Sequence, residues 1–198
     1  MQHRWHIDLS FGTAGLVSTA EGGSNLIRSV AIQSTGKIVT SLANRYNNGS
    51  SDFVLWRYTD GTLDTGFGNN GSATADFDAR SDFAYDVLVD GSNRIVVVGH
   101  SGGFAVNDED MITRFMSNGS LDSTFGLGGL ARFDVSGDDD FGTQVAIQSN
   151  GDLLVATRRG STSASGTRCL ECRCGWNSCQ CIWKRGSCNG FFWFQQHF

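Results

Sequence analysis

Four carboxylates on one short segment, Asp134, Asp138, Asp139 and Asp140, come nearest in this chain to a set of residues that could do chemistry. Hard cations such as calcium take clustered carboxylates and backbone carbonyls presented by a loop. The segment is therefore the candidate metal site, and calcium the one candidate cofactor. Asp76, Asp78 and Asp82 offer a similar group earlier in the chain, and the matching place before that has only Glu21. The spacing fits neither an EF-hand nor a nine-residue calcium repeat. A solvated acidic loop is the competing reading, here and for Asp108-Glu109-Asp110. All six cysteines follow residue 168, as Cys169, Cys172, Cys174, Cys179, Cys181 and Cys188. Their C-x-x-C and C-x-C spacings could hold zinc or form a disulfide cap. Of His3, His6, His100 and His197, only His100 stands in the body of the chain, with Ala43 and Arg158 at corresponding places. No nucleophile-elbow, zincin, P-loop or dinucleotide fingerprint occurs. No catalytic residue is expected, and the alternative is an enzyme with scattered residues on the axis of a propeller.

The elements that must position these residues are repeated. Asp8-Leu-Ser-Phe-Gly-Thr-Ala-Gly15 recurs as Asp64-Thr-Gly-Phe-Gly-Asn-Asn-Gly71 and Asp122-Ser-Thr-Phe-Gly-Leu-Gly-Gly129, 56 and then 58 residues on. Each phrase is followed by a short run: residues 16–19, 72–75 and 130–133. Two apolar runs around a turn come next: Val30–Gln33 and Lys37–Thr40, Val87–Val89 and Arg94–Val98, Val145–Gln148 and Asp152–Val155. Such pairs are hairpin signals. A final run closes the unit, Asp52–Tyr58 matched by Asp110–Phe115. Phe11, Phe67 and Phe125 are read as core anchors between units, with Gly12, Gly68 and Gly126 allowing the turn; an exposed aromatic platform is the alternative. Asp60, Asp64 and Asp122 are read as turn caps, with Arg57 and Arg114 close enough in sequence to pair with them.

One unit thus reads as four short strands in about 57 residues, with no helix-period segment. Middle strands that are apolar on both faces suit a sheet covered on both sides. The expected fold is all-β, tandem four-stranded and β-propeller-like, open or partial, with a β-solenoid as the alternative. A stub at 1–7 precedes the array at 8–167, divided into 8–63, 64–121 and an incomplete 122–167. The 198 residues include 26 glycines and no proline, which suits many tight turns. A net charge of −5 with no basic patch argues against nucleic acid as a partner. No stretch is apolar enough for a membrane span, and the N-terminus lacks the apolar core of a signal peptide.

The phrases D-x-S-F-G-x-x-G, V-A-I-Q-x-x-G-K-I-V, D-F-V-L-x-R-Y and D-G-T-L-D, over about residues 8–167, resemble the delta-60 repeat family of bacterial proteins. The resemblance implies a propeller-like fold within large exported or surface-associated chains and no established activity. The functional expectation is a non-catalytic module, structural or binding, from a larger extracellular or cell-surface protein. Protein or carbohydrate ligands, or a calcium-dependent adhesion role, are compatible with it.

Residues 168–198 break with this pattern. Trp is encoded by TGG and Cys by TGT or TGC, so a one-nucleotide shift turns Trp into Gly and Cys into Val or Ala. Trp176 and Trp183 are seven apart, as are Gly61 and Gly68, and Gly119 and Gly126. Shifted codons at Gly175–Asn177 can read Asp-Gly-Thr, and those at Ile182–Gly186 can read Phe-Gly-Asn-Gly-Gly. The tail is therefore expected to be a frameshifted fourth phrase, with the disulfide cap and the zinc site as alternatives. On that reading the third unit loses its final strand, the tail is mobile, and three incomplete blades leave exposed sheet edges that favour self-association.

Overall fold

The computed structural model of the chain describes residues 6–19, 26–43, 46–47, 50–77, 80–103, 106–133, 139–160, 166–175 and 178–184. Twelve main strands make three antiparallel blades of four. The first blade is β1 (Leu26–Ile32), β2 (Ile38–Ala43), β3 (Phe53–Thr59) and β4 (Ser72–Ala75). The second is β5 (Ser81–Val89), β6 (Ile95–Gly103), β7 (Val106–Phe115) and β8 (Leu130–Phe133). The third is β9 (Asp139–Ile147), β10 (Leu153–Gly160), β11 (Gly166–Gly175) and β12 (Ser178–Lys184). A single backbone pairing, Ala43 with Phe83, links the first two blades edge to edge. The described residues are all-β and the blades do not close on themselves, which is an open, partial propeller.

The blade as folded is offset from the repeat as spelled. The short run after the second and the third Phe-Gly phrase does not open its own unit's sheet. It pairs backwards, residues 72–75 onto β3 and 130–133 onto β7. Each phrase is thus the connection that closes one blade before the next begins.

The hairpin turns repeat in detail. The amide of Gln33 donates to the Lys37 carbonyl, Asp90 to Arg94 and Gln148 to Asp152, at 2.8, 2.9 and 2.8 Å. The left-handed position in each turn is taken by Gly36, Asn93 and Gly151. Asn serves in the second because its short polar side chain tolerates that conformation. The inner strand of every blade also carries a β-bulge at one place, skipping Arg28, Tyr85 and Thr143 in the pairing.

Two apolar layers hold the blades together. Val39, Phe53, Leu55 and Phe67 face Val87, Ile95, Val97, Met111 and Phe115 between the first and second blades. Val96, Val98, Ile112 and Phe125 face Leu153 and Val155 between the second and third. In β6 the alternating side chains of residues 95–98 serve both layers, and none is more than 1% exposed. Each such side chain contributes roughly 1.5–3 kcal/mol by leaving water.

The expected loss of the third unit's final strand is not what the chain does. The backbone of 166–175 and 178–184 pairs with β10 and with itself, and completes that sheet. A free edge accepts any chain that can extend, and the Thr-Arg-Cys-Leu-Glu-Cys-Arg-Cys run from 167 to 174 holds no proline to stop it. Residues 185–198, and with them Cys188 and the expected mobile end, lie outside the described residues, as does the stub up to residue 5.

Candidate functional site

The two rims of the array are chemically different. One rim carries the Phe-Gly phrases. Gly68 and Gly126 adopt φ of +53° and +51°, and a Cβ on either would lie 2.1 Å from the Ser72 or Leu130 carbonyl oxygen. Phe67 and Phe125 are 0% and 1% exposed, which makes them the anchors expected of them. Phe11 is half-buried, and Gly12 repeats the turn with φ +59°. Arg57 Nε donates to Asp64 Oδ2 at 2.9 Å while its guanidinium lies 4.4 Å from the centre of the Phe67 ring. Arg114 does the same with Asp122 and Phe125, at 2.7 and 4.6 Å. The Lys37 ammonium, with help from Arg57 and the Gly66 amide, holds the Asp64 carboxyl below its ordinary value. Burial works to raise Asp122, but the bonds from Thr124 and Arg114 outweigh it and the carboxyl is also low. These charges are occupied in holding the blades.

The opposite rim, where β5, β7 and β9 begin and β6 and β10 end, is acidic. Asp82, the second residue of β5, is fully buried. Its Oδ2 accepts from the Phe77 amide at 2.7 Å, its Oδ1 has no hydrogen-bond partner, and the Ser101 hydroxyl lies beside the carboxylate. Half-buried Asp52 and exposed Asp76 each bring a carboxylate oxygen to it, the three atoms lying within 4.8 Å of one another. Burial, with the charges of Asp76 and Asp52 adding to it, pushes Asp82 up to about 7 against the pull of Ser101 and the Phe77 amide.

At the next junction Asp140, the second residue of β9, is also fully buried, and it faces Asp110 of β7. Asp110 Oδ1 accepts from Thr157 Oγ1 at 2.9 Å and its Oδ2 has no partner. Burial and the Asp140 charge push Asp110 up to about 8, although Thr157 and the Gly142 amide favour the carboxylate. The candidate segment itself does not converge as far as it is described. Asp139 and Asp140 are successive strand residues and so take opposite faces; Asp139 instead accepts from the Asp108 amide at 3.1 Å. Asp134 and Asp138 lie outside the described residues, as does Asp78. Asp52 was not among the candidate metal ligands. It belongs to the preceding unit; the pairing of Phe53 with Ala75 brings it to Asp76, and blade packing brings both to Asp82.

His100 is enclosed. Its ring stacks on Phe83 and Tyr85 with centroids 4.9 and 5.4 Å apart and meets Phe141 edge-on at 4.7 Å. Burial, with the nearby Arg158 charge, pushes its pKa down to about 4, so it is neutral at pH 7. Its role is packing. Asp86, at the bulge of β5, ties the three inner strands together. Its Oδ1 accepts from Ser29 Oγ at 2.5 Å and its Oδ2 from the Val145 amide at 2.9 Å. Register sets Cys172 opposite Cys181 and Cys174 opposite Cys179 along β11 and β12.

Two segments, residues 33–67 and 91–125, match the family model described as "Domain of unknown function (DUF5122) beta-propeller". The two matched segments are β-propeller repeat sequence, in line with the open, propeller-like fold. Each match runs from a hairpin turn to the phenylalanine of the next phrase, and so takes in the Arg, Asp and Phe that clasp adjacent blades. No curated protein matches the chain.

Proposed function

We propose that this chain is a non-catalytic β-propeller module of the delta-60 kind, structural or binding, belonging to a larger exported or surface-associated bacterial protein. The observation that carries the reading is a difference between equivalent positions. Val87 and Val89 of β5 point at the first blade, where Val87 is 5% exposed and Val89 packs on the shared core. Val30 and Ile32 occupy the same places in β1 and are 60% and 67% exposed. A face of this pattern is made to be covered by another blade of the same kind. Arg57, Phe67 and Phe125 support the reading too, because they are engaged between neighbouring blades. Protein or carbohydrate ligands remain the partner classes that such a module suits.

Sedimentation of the full chain tests the apolar face. The wild type is expected to self-associate, and the pair Val30→Glu with Ile32→Lys to be monomeric at equal or greater stability. A wild-type monomer at every concentration, destabilised by the double substitution, overturns the reading.

A further inference from the structure

We propose that Asp52, Asp76 and Asp82 form a calcium site at the junction of the first two blades. Three carboxylate oxygens within 4.8 Å of one another match the spacing of ligands that lie 2.3–2.6 Å from one ion. Mg2+ demands shorter, octahedral contacts and suits the spread less well. The second and separate observation is the Asp82 side chain. It is fully buried, one oxygen is taken by the Phe77 amide, and the other has no hydrogen-bond donor. A buried polar atom left without a partner costs about 1–3 kcal/mol, more if charged. Either a proton or a cation must answer it at neutral pH. Burial and the two carboxylates beside it favour a proton on Asp82, but one proton leaves Asp52 and Asp76 charged, whereas a divalent ion offsets two of the three charges and supplies the missing partner.

The ligands come from different elements. Asp52 immediately precedes β3, Asp76 follows β4, and Asp82 lies in β5 of the next blade. A bound ion therefore links one blade's outer strands to its neighbour's inner strand, and calcium acts as a clasp between repeats. This holds whether the module supports or binds, so it stands independently of the proposal above.

The test uses the full chain, stripped with EDTA and then titrated with CaCl2 at pH 7.5 by calorimetry, with thermal unfolding followed in parallel. One saturable site is expected, with a dissociation constant in the range of extracellular calcium modules, about 0.1–1 mM. The unfolding midpoint rises with calcium, because ligand binds only the folded state. Asp76→Asn weakens binding at least tenfold and removes most of the calcium-dependent rise in the midpoint, each variant being compared with its own calcium-free state. Asp139→Asn, away from the three ligands, leaves calcium affinity unchanged. No binding up to about 10 mM CaCl2, or equal affinity in Asp76→Asn, overturns the site.

Discussion

The guanidinium of Arg57 lies over the Phe67 ring, 4.4 Å from its centre, and Arg114 repeats the relationship with Phe125 at 4.6 Å. Each arginine is held from its edge by an aspartate, and the one at Asp122 is 4% exposed. Breaking a pair this deeply placed leaves a charge without its partner. Asp122→Ala is expected to cost about 3 kcal/mol, whereas Lys37→Ala, at a cation about one-third exposed, costs under about 1 kcal/mol. Denaturant unfolding of the two variants measures the difference. Equal losses would show that the buried pair is not special.

The phrase glycines are the next point of strain. Gly68→Ala and Gly126→Ala each force a side chain into the left-handed region and into a carbonyl oxygen 2.1 Å away. Each is expected to cost at least about 2 kcal/mol. Gly91 has nothing within 4 Å of an added Cβ, so Gly91→Ala should stay within about 0.5 kcal/mol of wild type. Thermal midpoints of the three variants decide the matter.

Stability should depend on pH through the buried groups, with signs that differ. Asp110 and Asp82 are raised from 3.8 to about 8 and about 7, so the folded state holds their protons more tightly than the unfolded chain does. Through those ranges stability falls as pH rises. His100 is lowered from 6.5 to about 4, so between those values stability rises with pH. Between about pH 7 and 8 Asp110 contributes most of the remaining difference, with Asp82 adding to it at the lower end. Asp140, Thr157 and the backbone of Gly142 face Asp110. In EDTA, stability should fall by up to about 1.4 kcal/mol per unit from pH 7 to 8, and Asp110→Asn should flatten that slope. An unchanged slope in the variant counts against the assignment.

Asp86 couples three inner strands through Ser29 and Val145. Asp86→Ala removes charge-assisted bonds to both neighbours, at an expected cost of about 2–3 kcal/mol. Because each blade touches only its neighbours, the unfolding transition should also broaden as the blades lose coupling. Calorimetry reads both effects. A sharp transition at the wild-type midpoint refutes the coupling.

Four-strand units, hairpin turns, the phrase glycines and the Arg–Asp pairs are legible in the sequence because each is settled within a dozen residues. What depends on pairing between distant segments is not. Spelling matches Asp52 with Asp110, yet Phe53 pairs with Ala75 and Asp110 with Phe133, so Asp110 occupies the place of Phe53. One residue fewer in the later run moves a carboxylate into an apolar layer. The junction of Asp52 with Asp76 and Asp82 is invisible for the same reason, since residues 24 and 30 positions apart meet only after a strand pairs backwards and the blades then pack. The tail's backbone extends onto β10 whatever its codons once meant. Reading the gene one frame over should give an Asp-Gly and Phe-Gly-x-x-Gly phrase after residue 174, and its absence would sink the frameshift reading.

The backward pairing of residues 72–75 and 130–133 has a mechanical consequence. The four strands of each blade are contiguous in the chain, but the phrase ahead of the first blade's outer strand is clamped against a turn of the second. Gly68 donates to the Asn118 carbonyl at that clamp. Tension that frees the first blade must therefore break this contact with the second as well as its own strand pairing. The force needed to extend the array should include a contribution from such contacts between neighbouring blades.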